Sequence, residues 1–250
     1  MTLPEAFFTR PIAHRSLHDV RAGRPENSLS GVRAAIDRGY GIELDLQLSS
    51  DGVPMVFHDD VLQRLTPGLG RVRDFTAADL GKIRLSHGTE AMPTFEALLH
   101  AVDGAVPLLV EVKDQDGALG ENTGVMEEAL CALVRAYSGP IALMSFNPHS
   151  VAKCAEFAPD VPRGLVTEAF ATEDWPDVPA SRLQELAAIP DYERVGACFV
   201  SHDVNDLGSP EVARLKAAGA DVLCWTVRSA AVEQQARRVA QNVTFEGYLA

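Results

Sequence analysis

The amino-acid sequence predicts an α/β fold of the TIM (β/α)8 barrel type, and three observations carry that expectation. Short apolar runs alternate with helical patterns from one end of the chain to the other. Counting one run as the return arm of a hairpin leaves eight strands, and 250 residues is the size of eight βα units. Acids and histidines fall at strand ends, where such barrels carry their chemistry. A doubly wound open sheet is the alternative. No G-x-G-x-x-G or Walker A sequence follows any strand, which weakens its nucleotide-binding versions.

Taken in order, Ile12–His14 is the first strand. The helix Ser28–Arg38 follows and stops at Gly39, a residue suited to the left-handed end of a helix. Ile42–Leu46 is the second strand, and Pro54–Phe57 returns beside it across the turn SSDG. From about residue 61 to 92 no βα unit is legible. TPGLG, a helix start at Thr76 and SHGTE mark a small insertion at the barrel rim, and long irregular excursions are often functional. The rhythm resumes with the helix Thr94–Ala101, the strand Leu108–Val112, the helix Val125–Ala136 and the strand Ile141–Phe146. The helix Pro148–Phe157 has proline at its first position, after Asn147. Strand Arg163–Val166, helix Ser181–Pro190 and strand Ala197–Val200 come next. Pro210–Ala218 again starts on proline and ends at Gly219. Strand Val222–Thr226, helix Ala230–Ala240 and strand Asn242–Phe245 finish the set. Residues 1–250 thus read as a single domain, without internal repeats or low-complexity tracts.

Bulk properties narrow the function. The net charge of −13 would repel a polyanion, so nucleic acid and an anionic membrane surface are not expected partners. A small anionic substrate fits only if a metal or a few local cations hold it. Cys131, Cys154, Cys198 and Cys224 are widely spaced and read as buried thiols of a reducing compartment. No signal-peptide pattern opens the chain and no apolar run spans a bilayer, so the expectation is cytoplasmic. The oligomeric state is not legible.

The stretch IELDLQLSSDGVPMVFHDD carries the chemistry. Residues two apart in a strand share a face, so Glu43, Asp45 and Gln47 face one way and Leu44, Leu46 and Leu48 the other. Inside a barrel, two carboxylates are costly unless a cation sits among them. A solvent-facing antiparallel strand is the alternative. The run LLVEVK repeats the design: Glu111 and Lys113 share a face. Glu43, Asp45 and Glu111 together make a hard, oxygen-rich site suited to Mg²⁺ or Ca²⁺. Lys113 adds a point charge for an anion bridging to the metal. His14 and His58 end the first strand and the hairpin strand, placed as a general acid and a general base. Arg15 has the planar fork that grips phosphate.

IAHRS, PENS, the acid-x-acid strand with its SDG hairpin and HDD, then RLT, MPTFEALL and LLVEVK resemble the glycerophosphodiester phosphodiesterase family in order and spacing over residues 11–113. SFNP and LCWTV match its later strands more loosely. The resemblance implies a TIM barrel that hydrolyses glycerophosphodiesters to glycerol phosphate and an alcohol with a divalent metal. It implies His14 and His58 as the acid–base pair, Glu43, Asp45 and Glu111 as metal ligands, and Arg15 and Lys113 as phosphate contacts. Glu26 and Asn27 in PENS would support the site. Two departures stand out. Ser16 takes the place of a glycine, and NVTFEGYLA lacks the family's threonine-aspartate pair, with Glu246 as a substitute acid or a mere cap.

Trp225 is expected to line the glycerol or alcohol pocket. His202 and Asp203 either reach the mouth after their strand or belong to an idle loop. His87 and His100 read as surface or helix residues and His149 as part of a helix start. The sequon at Asn242 falls in a buried strand and is dismissed. Other small diesters, of sugar or lysophospholipid type and cleaved through a cyclic phosphate, stay open as substrates, and so does a non-catalytic anion-binding barrel.

Overall fold

The computed structural model describes residues 1–250. Its strands are β1 (Ile12–Ala13), β2 (Gly41–Leu48), β3 (Pro54–Val56), β4 (Leu108–Val112), β5 (Ile141–Ser145), β6 (Arg163–Thr167), β7 (Phe199–Asp203), β8 (Asp221–Val227) and β9 (Asn242–Phe245). All but β3 are parallel neighbours, in the order β1-β9-β8-β7-β6-β5-β4-β2. A β1–β2 pairing, Ile12 against Gly41 and Ala13 against Ile42, closes the ring. β3 is the antiparallel return arm on β2. It takes the edge of β2 that short β1 leaves free: the Glu43 carbonyl accepts from Ser16 N and the Asp45 carbonyl from Phe57 N, each at 3.0 Å.

Helices α2 (Leu29–Arg38), α4 (Phe95–Val102), α5 (Val125–Ala136), α6 (Pro148–Phe157), α7 (Ala180–Ala187), α8 (Pro210–Ala217) and α9 (Ala230–Ala236) each follow a barrel strand. Local chemistry sets their starts: the side chains of Ser28, Thr94, Asn147 and Ser229 accept the orphan backbone N–H groups of the first turns. Short helices α1 (Ala6–Thr9) and α3 (Ala77–Leu80) lie outside this ring.

Strand alternation builds two cores. Leu44, Leu46, Val110, Val112, Leu143, Val200 and Val222 face the helices in the larger one. Ile12, Leu109, Ala142, Phe199 and Leu223 face inward and fill the barrel floor together with Leu3 and Phe7 from the N-terminal segment. The Asn242 amide anchors that segment by donating to the carbonyls of Phe7 (2.6 Å) and Arg10 (2.7 Å). The floor is therefore solid, and open space is left only toward the C-terminal strand ends.

The rim insertion has its own small core. Leu62, Val72, Leu80, Leu85 and Met92 pack on Met55 and Phe57 of the hairpin. Thr76 caps α3, as its position in the sequence suggests.

Three boundaries differ from expectation. α7 and α9 stop earlier than expected, and β7 runs Phe199–Asp203 instead of Ala197–Val200. The apolar run ACFV marks only its first half. Polar Ser201, His202 and Asp203 continue the strand because the barrel gives them partners or cavity. His202 points outward to the helix layer, where its Nδ1 meets Thr167 Oγ1 at 2.8 Å and its Nε2 meets Asp206 at 3.1 Å. It neither reaches the mouth nor sits in a loop.

Candidate active site

The inward residues at the open end of the barrel form a polar half and an apolar half. β1, β2 and β4 supply His14, Arg15, Glu43, Asp45, Glu111 and Lys113, and His58 follows the β3 arm. Trp225 of β8, Phe146 after β5, Met144 and Val166 face them across a pocket with ≈ 360 Å³ of empty space. Trp225 stands 5.6 Å from Phe146, edge to face, and its indole N–H donates to the Ser201 carbonyl at 3.0 Å. Every site residue expected from sequence lies at this one pocket, Asp45 just behind its wall.

Ligand-type oxygens of Glu43, Asp45 and Glu111 lie within 4.8 Å of one another, and all three residues are buried. Register explains the cluster: Asp45 is paired with Glu111 on adjacent strands, and Glu43 is one inward step below Asp45. Lys113 Nζ bridges Asp45 Oδ1 (2.8 Å) and Glu111 Oε1 (2.6 Å). Asn27 Nδ2 donates to Asp45 Oδ2 at 2.9 Å. Burial pushes the Asp45 carboxyl up, but Lys113, His58 and Arg15 together hold it well below the usual range. Glu43 is in the opposite position. Burial, then the charges of Asp45 and Glu111, raise it well above the usual range, and only Arg15 opposes them. The cluster therefore holds one more carboxylate than its cations balance. Three buried oxygen donors short of one positive charge are a donor set that fits Mg²⁺ or Ca²⁺.

The loop after β1 is bent to serve this cluster. Arg15 (φ 50°) and Ser16 (φ 69°) both take left-handed conformations, and so does Asn27 (φ 55°). That bend lets Arg15 N donate to Glu43 Oε2 at 2.8 Å. Ser16 holds a left-handed conformation that a glycine would adopt freely. The Arg15 guanidinium reaches Glu26 at 3.0 Å and Asp45 at 3.6 Å, with its buried Nε lacking a hydrogen-bond partner.

Each histidine is held from behind. His14 Nδ1 lies 2.6 Å from Glu246 Oε2, and the other oxygen of Glu246 takes Arg228 Nε at 2.8 Å. His58 Nδ1 lies 2.7 Å from Asp59 Oδ1, and Asp59 takes Arg64 Nε at 2.7 Å. Arg64 also grips both oxygens of Glu26 at 3.0 Å. His14 Nε2 is 4.0 Å from Glu43 Oε2. Burial lowers the His14 imidazole, and the Glu246 hydrogen bond partly restores it. The hydrogen bond from His14, with His18 and Arg228 close by, holds Glu246 well below the usual range.

Sequence reasoning missed five contributors. Asp59 follows His58 directly, and Arg64 sits in the RLT motif, so both had a signal. Arg228 had none, because only folding brings it to Glu246. The hydroxyls of Ser201 and Thr244 line the pocket, buried and without partners; the expected strand ended at Val200, which left Ser201 just outside it.

The model of the Glycerophosphoryl diester phosphodiesterase family matches residues 14–244. The chain is similar to the YhdW protein of Bacillus subtilis (strain 168), 28% identical over 87% of this chain and 86% of that one. It is 30% identical to the glycerophosphodiester phosphodiesterase of Caldanaerobacter subterraneus subsp. tengcongensis over 60% of this chain and 65% of that one, just under two thirds of the relative. Among solved structures, an Oleispira antarctica phosphodiesterase in complex with the product sn-glycerol-3-phosphate shares the barrel, with a TM-score of 0.77, 24% identity and coverage of 96% of this chain and 94% of that one. A match that spans both histidines, the three acids and the barrel from β2 into β9 has one meaning: the chain belongs to the glycerophosphoryl diester phosphodiesterase family, a family of phosphoric diester hydrolases.

Proposed function

We propose that this chain hydrolyses a glycerophosphodiester to sn-glycerol 3-phosphate and an alcohol, with residues 1–250 acting as one unit. The observation that carries the reading is the meeting of two carboxylate-backed imidazoles, three buried acids and the Arg15 and Lys113 cations at one pocket. The pocket's cationic wall suits a phosphodiester anion, and its aromatic wall suits the carbon skeleton beside it. Arg15 and Lys113 hold the non-bridging phosphate oxygens and favour the charge that builds there. One imidazole takes the proton of the attacking hydroxyl, either water or a neighbouring substrate hydroxyl. As the P–O bond to the leaving alcohol breaks, the other gives its proton to the departing oxygen. Trp225 and Phe146 pack against the glycerol or alcohol portion and keep bulk water off the reacting bond.

Glu43, Asp45 and Glu111 are the residues to hold Mg²⁺ or Ca²⁺, which supplies Lewis-acid stabilisation of phosphate charge. The deficit of positive charge at Glu43 supports that placement. Four cysteines without disulfides support a reducing compartment, and we place the protein in the cytoplasm on that ground. No helix is long and apolar enough to cross a membrane. A net charge of −13 argues against nucleic acid as a partner.

The test is release of glycerol 3-phosphate from glycerophosphocholine and glycerophosphoethanolamine, with EDTA and then with Mg²⁺ or Ca²⁺ restored. Release is expected to stop in EDTA, to return with metal, and to be lost in Glu43→Ala. Loss of either histidine to alanine is expected to lower kcat by about 10²- to 10⁴-fold. Full activity in His14→Ala or His58→Ala would sink the acid–base assignment.

A further inference from the structure

Glu246 lies beyond the stretch that matches the family, which ends at Thr244. It stands where the chain departs from the family's ending, yet it makes the shortest contact to His14. We infer that Glu246, clamped by Arg228, is a positioning residue that fixes the proton of His14 on Nδ1 and presents a bare Nε2 to the pocket. This rests on the reading of His14 as a proton carrier.

The geometry leaves little choice of tautomer. An ionised carboxylate only accepts, so at 2.6 Å from Glu246 Oε2 the Nδ1 atom must donate. A neutral ring then carries its lone pair on Nε2, the nitrogen turned toward Glu43. Arg228 Nε occupies the second oxygen of Glu246 at 2.8 Å and stops the carboxylate from swinging away. His18 Nε2 is 3.5 Å from the same Oε2 and adds positive charge only when protonated.

His58 has the same arrangement by another route. Its carboxylate, Asp59, is the next residue in the chain, with Arg64 behind it. The partner of His14 is 232 residues away in sequence. It arrives because β9 closes the barrel on β1: Ala13 pairs with Phe245, and His14 N donates to the Phe245 carbonyl at 2.9 Å. The next residue, Glu246, then falls beside the imidazole. Both histidines are thus held in one order, arginine to carboxylate to Nδ1, with Nε2 facing the reaction space.

The experiment compares Glu246→Gln, Glu246→Ala and Glu246→Asp by kcat, KM and the ¹⁵N resonances of His14. A glutamine amide donates to Nδ1 and drives the proton to Nε2, the wrong tautomer. Glu246→Gln is expected to lower kcat by about 10²-fold with KM changed by less than about twofold. Glu246→Ala is expected to lose less, since water can accept from Nδ1, and Glu246→Asp to recover part of the rate. At mildly alkaline pH the wild type is expected to show Nδ1 protonated and Nε2 bare, and Glu246→Gln the reverse. Wild-type kcat in Glu246→Gln, equal losses in Gln and Ala with KM rising, or a protonated Nε2 in the wild type would each overturn the inference. If Glu246→Gln does not fold, Arg228→Ala takes its place, since its side chain is 65% exposed. It is expected to lower kcat by about tenfold at most with KM unchanged, and an unaltered kcat would remove the clamp. If the wild type cleaves no diester, the proposed function fails, while the ¹⁵N resonances still decide the tautomer.

Discussion

Ser16 and Gly31 exchange volume. A Cβ on Gly31 would stand 2.2 Å from Ser16 Oγ, so helix α2 carries glycine where the preceding loop carries a larger residue than the family's. Ser16 keeps a left-handed φ of 69° and a buried hydroxyl with no partner, so the fit is tight and unsupported by hydrogen bonds. Gly31→Ala is therefore expected to cost about 1–3 kcal/mol by overpacking. Adding Ser16→Gly to it should return most of that loss, because both the clash and the left-handed strain disappear. Urea denaturation of the two single variants and the double variant measures the coupling. Additive effects would mean that the two residues do not share the space. Close by, His14 and His58 were legible because they converge with acids, Arg15 and Lys113 at strand ends; a strand-end histidine by itself proves little, as His202 on Thr167 and Asp206 shows. What holds each was legible only where the partner was adjacent in sequence, as Asp59 is.

The elements show why the acids lie where they do. β2 is buried on both faces, so the alternation of Leu44 and Leu46 with Glu43 and Asp45 is not the mark of a strand facing water. Pairing with β4 sets Asp45 against Glu111, and the short length of β1 leaves an edge for β3, which carries His58 to the mouth. At the other end, the segment before β1 is part of the core rather than a loose terminus. Phe7 is fully buried, and Phe7→Ala is expected to cost about 3–5 kcal/mol. Asn242→Ala should cost about 1–3 kcal/mol, because it leaves the carbonyls of Phe7 and Arg10 without their donor. KM is expected to stay at its wild-type value in both, since the floor lies at the opposite end from the pocket. Thermal melts and steady-state kinetics on the same samples check this. A large rise in KM without loss of stability would mean that the floor reaches the site. The N-terminal plug escaped the sequence reading because a single turn of helix has too little periodicity to show.

The whole molecule is acidic, and its site adds buried acids to an already negative chain. Binding a divalent cation should therefore stabilise the fold by linkage, by about 2.7 kcal/mol when the free ion is at a hundredfold excess over Kd. A rise in Tm on adding Mg²⁺ or Ca²⁺ to EDTA-treated protein, absent in Glu43→Ala, is the expected outcome; an equal rise in both would place the ion elsewhere. By itself, the sequence determined the strand count, the shared face of the acids on β2 and β4 and the two histidines, while closure into a barrel rested on the family resemblance and is seen in the β1–β2 pairing. The first three features rest on local periodicity and residue type, which a linear reading can see. Tertiary structure alone decided the span of β7, the outward turn of His202, the N-terminal plug, and the pairing of His14 with Glu246 and Arg228. In each of these the polar or aromatic group takes its meaning from a partner that only barrel closure brings within a hydrogen bond or a packed contact.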